Sequence, residues 1–490
     1  MSLFDESLAF RAKVRSVRPL VAGIAFALVS ACGGGGGGGA PPPPAPINQS
    51  PTFTSGATVA IVENTGGPIL RAAATDPEGA SVAFSIVGGP DAGRFVIAPN
   101  GELSMFAPPN FDLPTDSDLN NVYMVEIGAS DGVNRTNQTI TVTVSNSKEG
   151  VSVRRIATGF LPLVAMSAAS DTHLLLAAAN GGIYSYNLQN GSRQFLTALS
   201  SGLSSQGVLS IAAAGDFAGS GRFVVLHHSL GSLNVEEYRR EFSGVTSYDF
   251  NGRNLRIPAP DYAGGGWVGF DPQGRLLLAT GDAGGSGDPS GSAQSDSSRL
   301  GELILWTNNP DPFAGATAQY YTFAIVAKGL HQPAGGFAYS GGLLIGDRGE
   351  SVADEVNFFA TGSSGINFGW PFKEGFRVVR GAPPANVVDP VTEYARSSAA
   401  AADQGNVGGA IAGSAVASIA GHYVFADRSG AIFSFPTSSL QNARTATERR
   451  TADFAPDVGA IERPVAVVAD SAGRLYILDA DGEIFRVDAG

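Results

Sequence analysis

The stretch GGGWVGFDPQGRLLLATGDAGGSGDP, Gly264–Pro289, decides how the chain is read. An apolar strand runs into glycine-rich loops, and three acids, Asp271, Asp282 and Asp288, sit where a cofactor-holding loop system would place them. No histidine lies within the stretch or just before it. Its central unit, an apolar strand followed by a Gly/Asp/Asn turn and often a second strand, recurs along the chain. The copies are HLLLAAANGGIYSYN from His173, RFVVLHHSLGSLNVEEY from Arg222, RLLLATGDAGG from Arg275, GLLIGDRGE from Gly342, HYVFADRSGAIFSF from His422 and RLYILDADGEIFRVD from Arg474. Repeats at roughly 50-residue spacing are the pattern of radial repetition, so residues 151–490 are expected to form a six-bladed β-propeller. A seven-bladed ring is the nearest competitor, because the gap between Gly342 and His422 has room for a divergent blade. No amphipathic helix of ordinary length interrupts the pattern, which disfavours α/β folds with crossover helices.

The chain has 490 residues, too many for one ordinary core. With 44 acidic against 31 basic residues its formal charge is −13, and no basic run lies outside the N-terminus, so a nucleic-acid backbone would be repelled. Residues 1–31 read as an export signal: Arg11, Lys13, Arg15 and Arg18 precede the short apolar segment PLVAGIAFALVSA. The following Cys32, in VSAC, resembles the acylated cysteine of a bacterial lipobox. It is the chain's single cysteine, so no internal disulfide can form. Gly33–Gly39 and APPPPAP make residues 32–47 a tether, flexible and then stiff. These features predict an exported protein, lipid-anchored in the bacterial cell envelope.

Residues 48–148 read as an N-terminal β-sandwich of short strands. Thr139, Thr141 and Thr143 alternate with Ile140, Val142 and Val144, as in a strand with one buried face, and PNGE from Pro99 is a hairpin turn. At VEN (Val62–Asn64), ATDPEG (Ala74–Gly79), NFD (Asn110–Asp112) and ASDG (Ala129–Gly132) the domain resembles a cadherin-type repeat, an Ig-like sandwich. That resemblance implies calcium ligands at Glu63, Asp76, Asp112 and Asp131, hard oxygen donors suited to Ca²⁺. It departs from the family at Leu113-Pro114, where an acid is usual, and no second repeat follows to complete the site. The plainer reading is that these acids cap turns.

Six motifs in sequence order resemble the soluble quinoprotein glucose/sorbosone dehydrogenase family. They are the opening stretch, extended to Gln294, RLGELILW from Arg299, KGLHQPAGGFAY from Lys328, GDRGESVADEVN from Gly346, GINFGWPFKEG from Gly365 and GHYVFADRSGAIFSF from Gly421. The resemblance implies hydride transfer from a sugar to pyrroloquinoline quinone (PQQ), held with Ca²⁺ at the end of the propeller channel. A histidine before the first glycine pair would take the hydroxyl proton, oriented by the aspartate of TGD. It further implies that Gly349 and Glu350 bind the ion through their carbonyls, that Arg428 meets the quinone oxygens and that Gln332 stands in the binding stretch, while Arg348 offers a second positive charge for the cofactor.

The chain departs from that pattern at decisive places. Ala263 occupies the position of the base, leaving Asp282 with nothing to orient. His331 and Gln332 replace the arginine and asparagine of the family's GLRNP stretch, and Ala412 replaces a further arginine. One rescue is that His331 serves as the base from the opposite wall of the channel, paired with Asp282. The bland reading makes it a neutral channel residue. Trp370, in GWP, reads as a packing element, His227 and His228 as turn residues, and His173 and His422 as strand starts on the rim. No G-x-S-x-G elbow, phosphate-cradling loop before a helix or zinc-ligand set competes. Two functions follow: a PQQ- and Ca²⁺-dependent sugar or alcohol dehydrogenase with altered residues, or a non-catalytic propeller that binds a glycan or a cell-surface protein.

Overall fold

Alternating burial along Arg135–Ser145 hides Ile140, Val142 and Val144 and turns the intervening threonines to the other face. A computed structural model of the chain describes residues 47–160, 162–199, 203–240, 248–310, 319–396 and 404–490. The signal segment, Cys32 and nearly all of the tether lie outside these residues. Among the described residues, no helix is long and apolar enough to cross a membrane.

Strand Arg135–Ser145 sits inside a four-stranded sheet, with Thr58–Val62 parallel on one side and Val122–Ser130, then Ala83–Gly88, antiparallel on the other. A three-stranded sheet of Pro68–Arg71, Glu102–Met105 and Phe95–Ile97 shares its core. Leu103, Tyr123, Val125, Ile127, Ile140 and Val142 are fully buried there. At the hairpin turn Gly101 holds φ +88°, with the Ala72 carbonyl where a Cβ would stand, so only glycine fits.

Among the described residues from Val151 onward, the chain forms six large sheets, five of four strands and one of five, besides one two-stranded hairpin. Each repeat picked out in the sequence supplies the second strand of one sheet: His173–Ala178, Phe223–Ser229, Leu276–Thr280, Gly342–Arg348, His422–Asp427 and Leu475–Asp479. The first strands, Leu163–Ala168, Leu203–Ala213, Gly266–Phe270, Gln332–Tyr339, Asn406–Ile411 and Pro464–Ala469, pack each against the next, and the last against the first. The gap that could have hidden another blade holds the outer strands of the fourth sheet, Ala353–Ala360 and Thr392–Ala395, and the hairpin Lys373–Glu374/Arg377–Val378. The sixth sheet is completed by Val151–Ala157, which pairs antiparallel with Ile484–Ala489, so both ends of the ring share one sheet. Close approach at the ring's centre requires glycine: a Cβ on Gly335 would strike the Val407 carbonyl, and one on Gly408 the backbone of Gly335.

His227 and His228 are not turn residues. Their strand runs on to Ser229 and buries both rings. The His228 Nε2 lies 2.8 Å from the Ala259 carbonyl oxygen, and the His227 Nε2 3.4 Å from Glu236. A polar pair at the end of an apolar run resembles a turn in sequence, but the neighbouring strand Ser232–Arg240 supplies Glu236 as a partner. His173 and His422 do begin strands.

The sandwich meets the ring through Arg450, whose side chain is 4% exposed. Its guanidinium reaches Asp112 at 3.4 Å, Asp453 at 2.9 Å and Glu448 at 2.5 Å, and also pairs with Glu149. Asn110 Nδ2 donates to Glu448 at 2.8 Å and the Arg449 amide donates to the Asp112 carbonyl at 3.1 Å. Removing a cation from buried carboxylates leaves their charges uncompensated. Arg450→Met is therefore expected to cost about 3–5 kcal/mol in equilibrium denaturation.

Glu302 is fully buried, and neither carboxylate oxygen has a hydrogen-bond partner. Burial pushes its carboxyl up to about 9, against the opposing pull of Lys328. The folded state then binds a proton that the unfolded state releases above the ordinary carboxyl value of 4.5, so this group's stabilisation is present at low pH and lost as pH rises through about 9. Thermal melts between pH 5 and 9 are expected to show a flatter decline of stability with pH in Glu302→Gln than in the wild type.

Candidate functional site

The loop after Leu276–Thr280 is fixed by its backbone. Gly281 N donates to the Gly265 carbonyl at 3.2 Å, Asp282 N to the His331 carbonyl at 3.0 Å, and Ala263 N to the Ala283 carbonyl at 2.9 Å. The Gly301 amide donates to the Gly281 carbonyl at 2.7 Å, and the Ser292 hydroxyl to the Asp282 carbonyl at 2.7 Å. Asp288 closes the turn by accepting from the amides of Ser292 and Ala293. Glycine and aspartate in this loop thus satisfy the backbone before any ligand is considered.

At the ring's centre lies a cavity of about 330 Å³ to which all six sheets contribute. Ala263, the run Gly264–Gly266, Gln332, Ala334, Arg348 and Arg428 form its polar and small-residue wall, and Val164, Val208, Leu209, Val407 and Val465 the apolar remainder. Among the described residues lining it, the charged side chains are the two arginines, with neither an acid nor an imidazole. Arg348 ends the strand Gly342–Arg348, and Arg428 follows His422–Asp427 in the neighbouring sheet. Burial, then the charge of Arg428, lowers the Arg348 pKa, as expected of two guanidinium groups brought together. The Arg348 Nε has no hydrogen-bond partner. Paired cations with an unsatisfied donor in a partly apolar cavity suit a planar anionic ligand.

Asp282 and His331 stand behind this wall, not on it. Asp282 is fully buried and accepts from Gly284 N at 2.8 Å and from the Trp370 indole at 2.8 Å. The His331 ring packs on Trp370 with centroids 4.1 Å apart, and its Nδ1 lies 2.7 Å from the Arg348 carbonyl oxygen. The two residues feel each other's charge: burial raises Asp282 and lowers His331, each against the pull of the other. They share Trp370 but make no direct hydrogen bond. Asp282 thus has a task that sequence reading missed, holding an indole instead of a catalytic imidazole. Only the aromatic character of GWP pointed to it.

Below the cavity, Asp347 accepts from the amides of His331 and Gln332 at 2.9 and 2.7 Å, fixing the strand start. The turn carrying Gly349 and Glu350 is held by Asp354, which accepts from Gly349 N at 2.9 Å, and by Glu374, which accepts from the amides of Ser351, Val352 and Ala353. Ala412 lies away from the cavity, in the core between the last two sheets.

The four acids carried over from the sandwich do not converge as a set. Asp76 accepts from the amides of Glu78 and Ala80, and Asp131 from those of Val133 and Asn134, so both cap turns. Glu63 and Asp112 do meet, but with Asp453 of the ring. Burial, then the Asp453 charge, pushes the Asp112 carboxyl up to about 8.

No protein-family profile matches the chain. Solved structures do. The PQQ-bound aldose sugar dehydrogenase of Streptomyces coelicolor aligns with 69% of this chain and 98% of its own, at 19% identity and TM-score 0.53. The soluble aldose sugar dehydrogenase of Escherichia coli, in its apo form, aligns with 69% of this chain and 100% of its own, at 19% identity and TM-score 0.52. The calcium structure of a Trichoderma reesei carbohydrate-active enzyme of family AA12 aligns with 70% and 96%, at 16% identity and TM-score 0.50. At such identities the likeness establishes the fold alone, an all-β propeller.

The Asp282–Trp370 contact is open to a double-mutant cycle. Trp370→Phe and Asp282→Asn are each expected to destabilise the chain, with a coupling of about 1.5–3 kcal/mol, as for a hydrogen bond to a buried charge.

Proposed function

We propose that this chain is an exported lipoprotein, anchored through Cys32, whose cadherin-like sandwich carries a six-bladed propeller that binds PQQ or a closely similar planar carboxylated quinone in its hub without efficient sugar oxidation. The reading rests on one observation: the hub wall offers two guanidinium groups and no proton acceptor. Arg348 and Arg428 would hold the ligand's anionic oxygens, Gln332 would add hydrogen bonds, and the Gly349–Glu350 turn would offer carbonyls to a calcium ion. Such a quinone, when bound, accepts hydride. This chain's residues would orient it and exclude water from one face, but Ala263 supplies a methyl group where proton removal from a sugar hydroxyl needs a base.

A second reading, a dehydrogenase of altered geometry on a sugar or alcohol, is favoured by the electrostatic link between His331 and Asp282 one residue from Gln332 in the wall. The membrane-tethered body would then meet its sugar or glycan at the cell surface.

Purified protein incubated with PQQ and Ca²⁺ and then desalted is expected to keep the cofactor's absorbance, and Arg348→Gln to lose it. Aldose-dependent dye reduction should be near background in the wild type and rise at least about 100-fold in Ala263→His, the low end of what a positioned base contributes. Rapid turnover by the wild type, abolished in His331→Gln, would establish the second reading. Loss of all absorbance on desalting would remove the quinone and leave a glycan- or protein-binding propeller.

A further inference from the structure

We propose that Arg380 recognises a carboxylate on a sugar approaching the hub, so that acidic sugars of the uronate class are preferred to neutral ones. The inference rests on the reading that a sugar or glycan reaches the hub, and it does not depend on the quinone. Arg380 packs on the loop that borders the cavity. Gly284 of that loop covers the cavity wall at Ala263, because a Cβ on it would stand 2.9 Å from the Ala263 methyl carbon. Three residues further on, the Arg380 guanidinium occupies the space that a Cβ on Gly287 would fill, so only glycine, at φ +67°, can seat it. Three residues of chain span at most about 11 Å, which places the cation one or two sugar rings from that wall.

The second observation is that this cation has no partner on a hairpin whose other cations have one. Lys373 pairs with Asp389, and Arg377 with Glu393 at 3.4 Å. The exposed Arg380 side chain makes no ion pair or hydrogen bond among the described residues. A chain with 44 acidic residues offers many carboxylates to a surface guanidinium. An arginine kept clear of them presents its whole donor fork to an incoming ligand.

The hairpin is fixed from below. Glu374 Oε1 accepts from the amides of Ser351 at 2.8 Å and Ala353 at 3.0 Å, Glu355 from the Gly375 amide at 2.6 Å, and Glu393 from the Phe376 amide at 2.9 Å. The amides of Val379 and Arg380 both donate to the Phe372 carbonyl, at 2.9 and 3.2 Å. These bonds tie Arg380 to the turn that carries Gly349 and Glu350. Beside it, Val378 is 58% and Val379 41% exposed, an apolar ledge suited to the C–H face of a sugar ring. A planar carboxylate takes a guanidinium fork through two parallel hydrogen bonds, which a hydroxymethyl group cannot do, so the arrangement separates a uronate from its neutral hexose.

The test is calorimetric titration of the purified protein at low salt with glucose, glucuronate, cellobiose and cellobiouronate, each with and without PQQ and Ca²⁺. At least one acidic sugar is expected to bind the wild type about tenfold or more tightly than its neutral counterpart, as for a hydrogen bond to a charged group. The field of an acidic chain opposes an anion, so net charge cannot produce that preference. Arg380→Gln should abolish it, and Arg380→Lys, which keeps the charge without the fork, should retain part of it. Arg377→Gln, three residues away on the same hairpin, should titrate as wild type. Acidic sugars bound no more tightly than neutral ones overturn the proposal by itself, as does a preference that Arg380→Gln leaves intact. Binding of none of the four overturns it together with the glycan reading. Loss of PQQ on desalting with the preference intact removes the quinone and upholds this assignment.

Discussion

Ring closure is the constraint on which the rest depends. Six sheets packed in a circle leave an open seam unless one sheet draws strands from both ends of the ring, and here Val151–Ala157 fills that place beside Ile484–Ala489. The register runs from Val151 opposite Ala489 to Ala157 opposite Ile484, and the Gly490 amide donates to the Gly150 carbonyl at 2.8 Å. The closing strand is also the continuation of the sandwich. Glu149 and Gly150, at φ +45° and +78°, make the turn between them, so the lock that closes the ring sets where the sandwich emerges. Asp112 and Glu149 consequently meet the fifth sheet's loop, where Arg450 and Asp453 stand.

Closure also explains why glycine motifs outlast catalytic residues. Inner strands of adjacent sheets touch at Gly265, Gly335 and Gly408, where a Cβ would meet the neighbouring backbone. These positions are enforced by packing whether or not the hub performs chemistry. The same holds for Asp282: it caps Gly284 and holds the Trp370 indole, which in turn supports His331. A TGD motif is therefore required by the architecture, and its presence carries little information about turnover. Position 263 is different, because it lines the cavity and its side chain makes no hydrogen bond that the fold needs. Residues of that kind report on function.

What was legible follows from the same distinction. Strands and repeats could be read because period-two burial and recurring turns are local, and each quoted repeat became the second strand of a sheet. The cavity's cations were readable through motif position alone. The junction was not: Asp112 and Arg450 are separated by 338 residues, and nothing near Arg450 in sequence announces a partner. Turn-capping acids and acids buried at the domain junction also look alike in sequence, so Asp76 and Asp131 could not be told from Glu63 and Asp112. Burial separates them, since the junction acids have lost the solvent that Asp76 and Asp131 partly retain.

Charge is distributed in a way that bears on what the hub can accept. The chain carries a formal −13, yet its central cavity concentrates two guanidinium groups and no carboxylate. A polyanionic polymer would meet the acidic exterior first and be repelled, whereas a small anion can enter a narrow channel and gain from both cations in a partly apolar setting. The wall's valines and alanines add area for a flat ring, and the glycine run at 264–266 lets such a ring lie close to backbone. Size, sign and flatness are also what the proposed ligand, a planar carboxylated quinone, would require. The excess of acid that makes this selection works from outside, and it is at the domain junction, where five carboxylates share Arg450, that the same excess has to be neutralised from within.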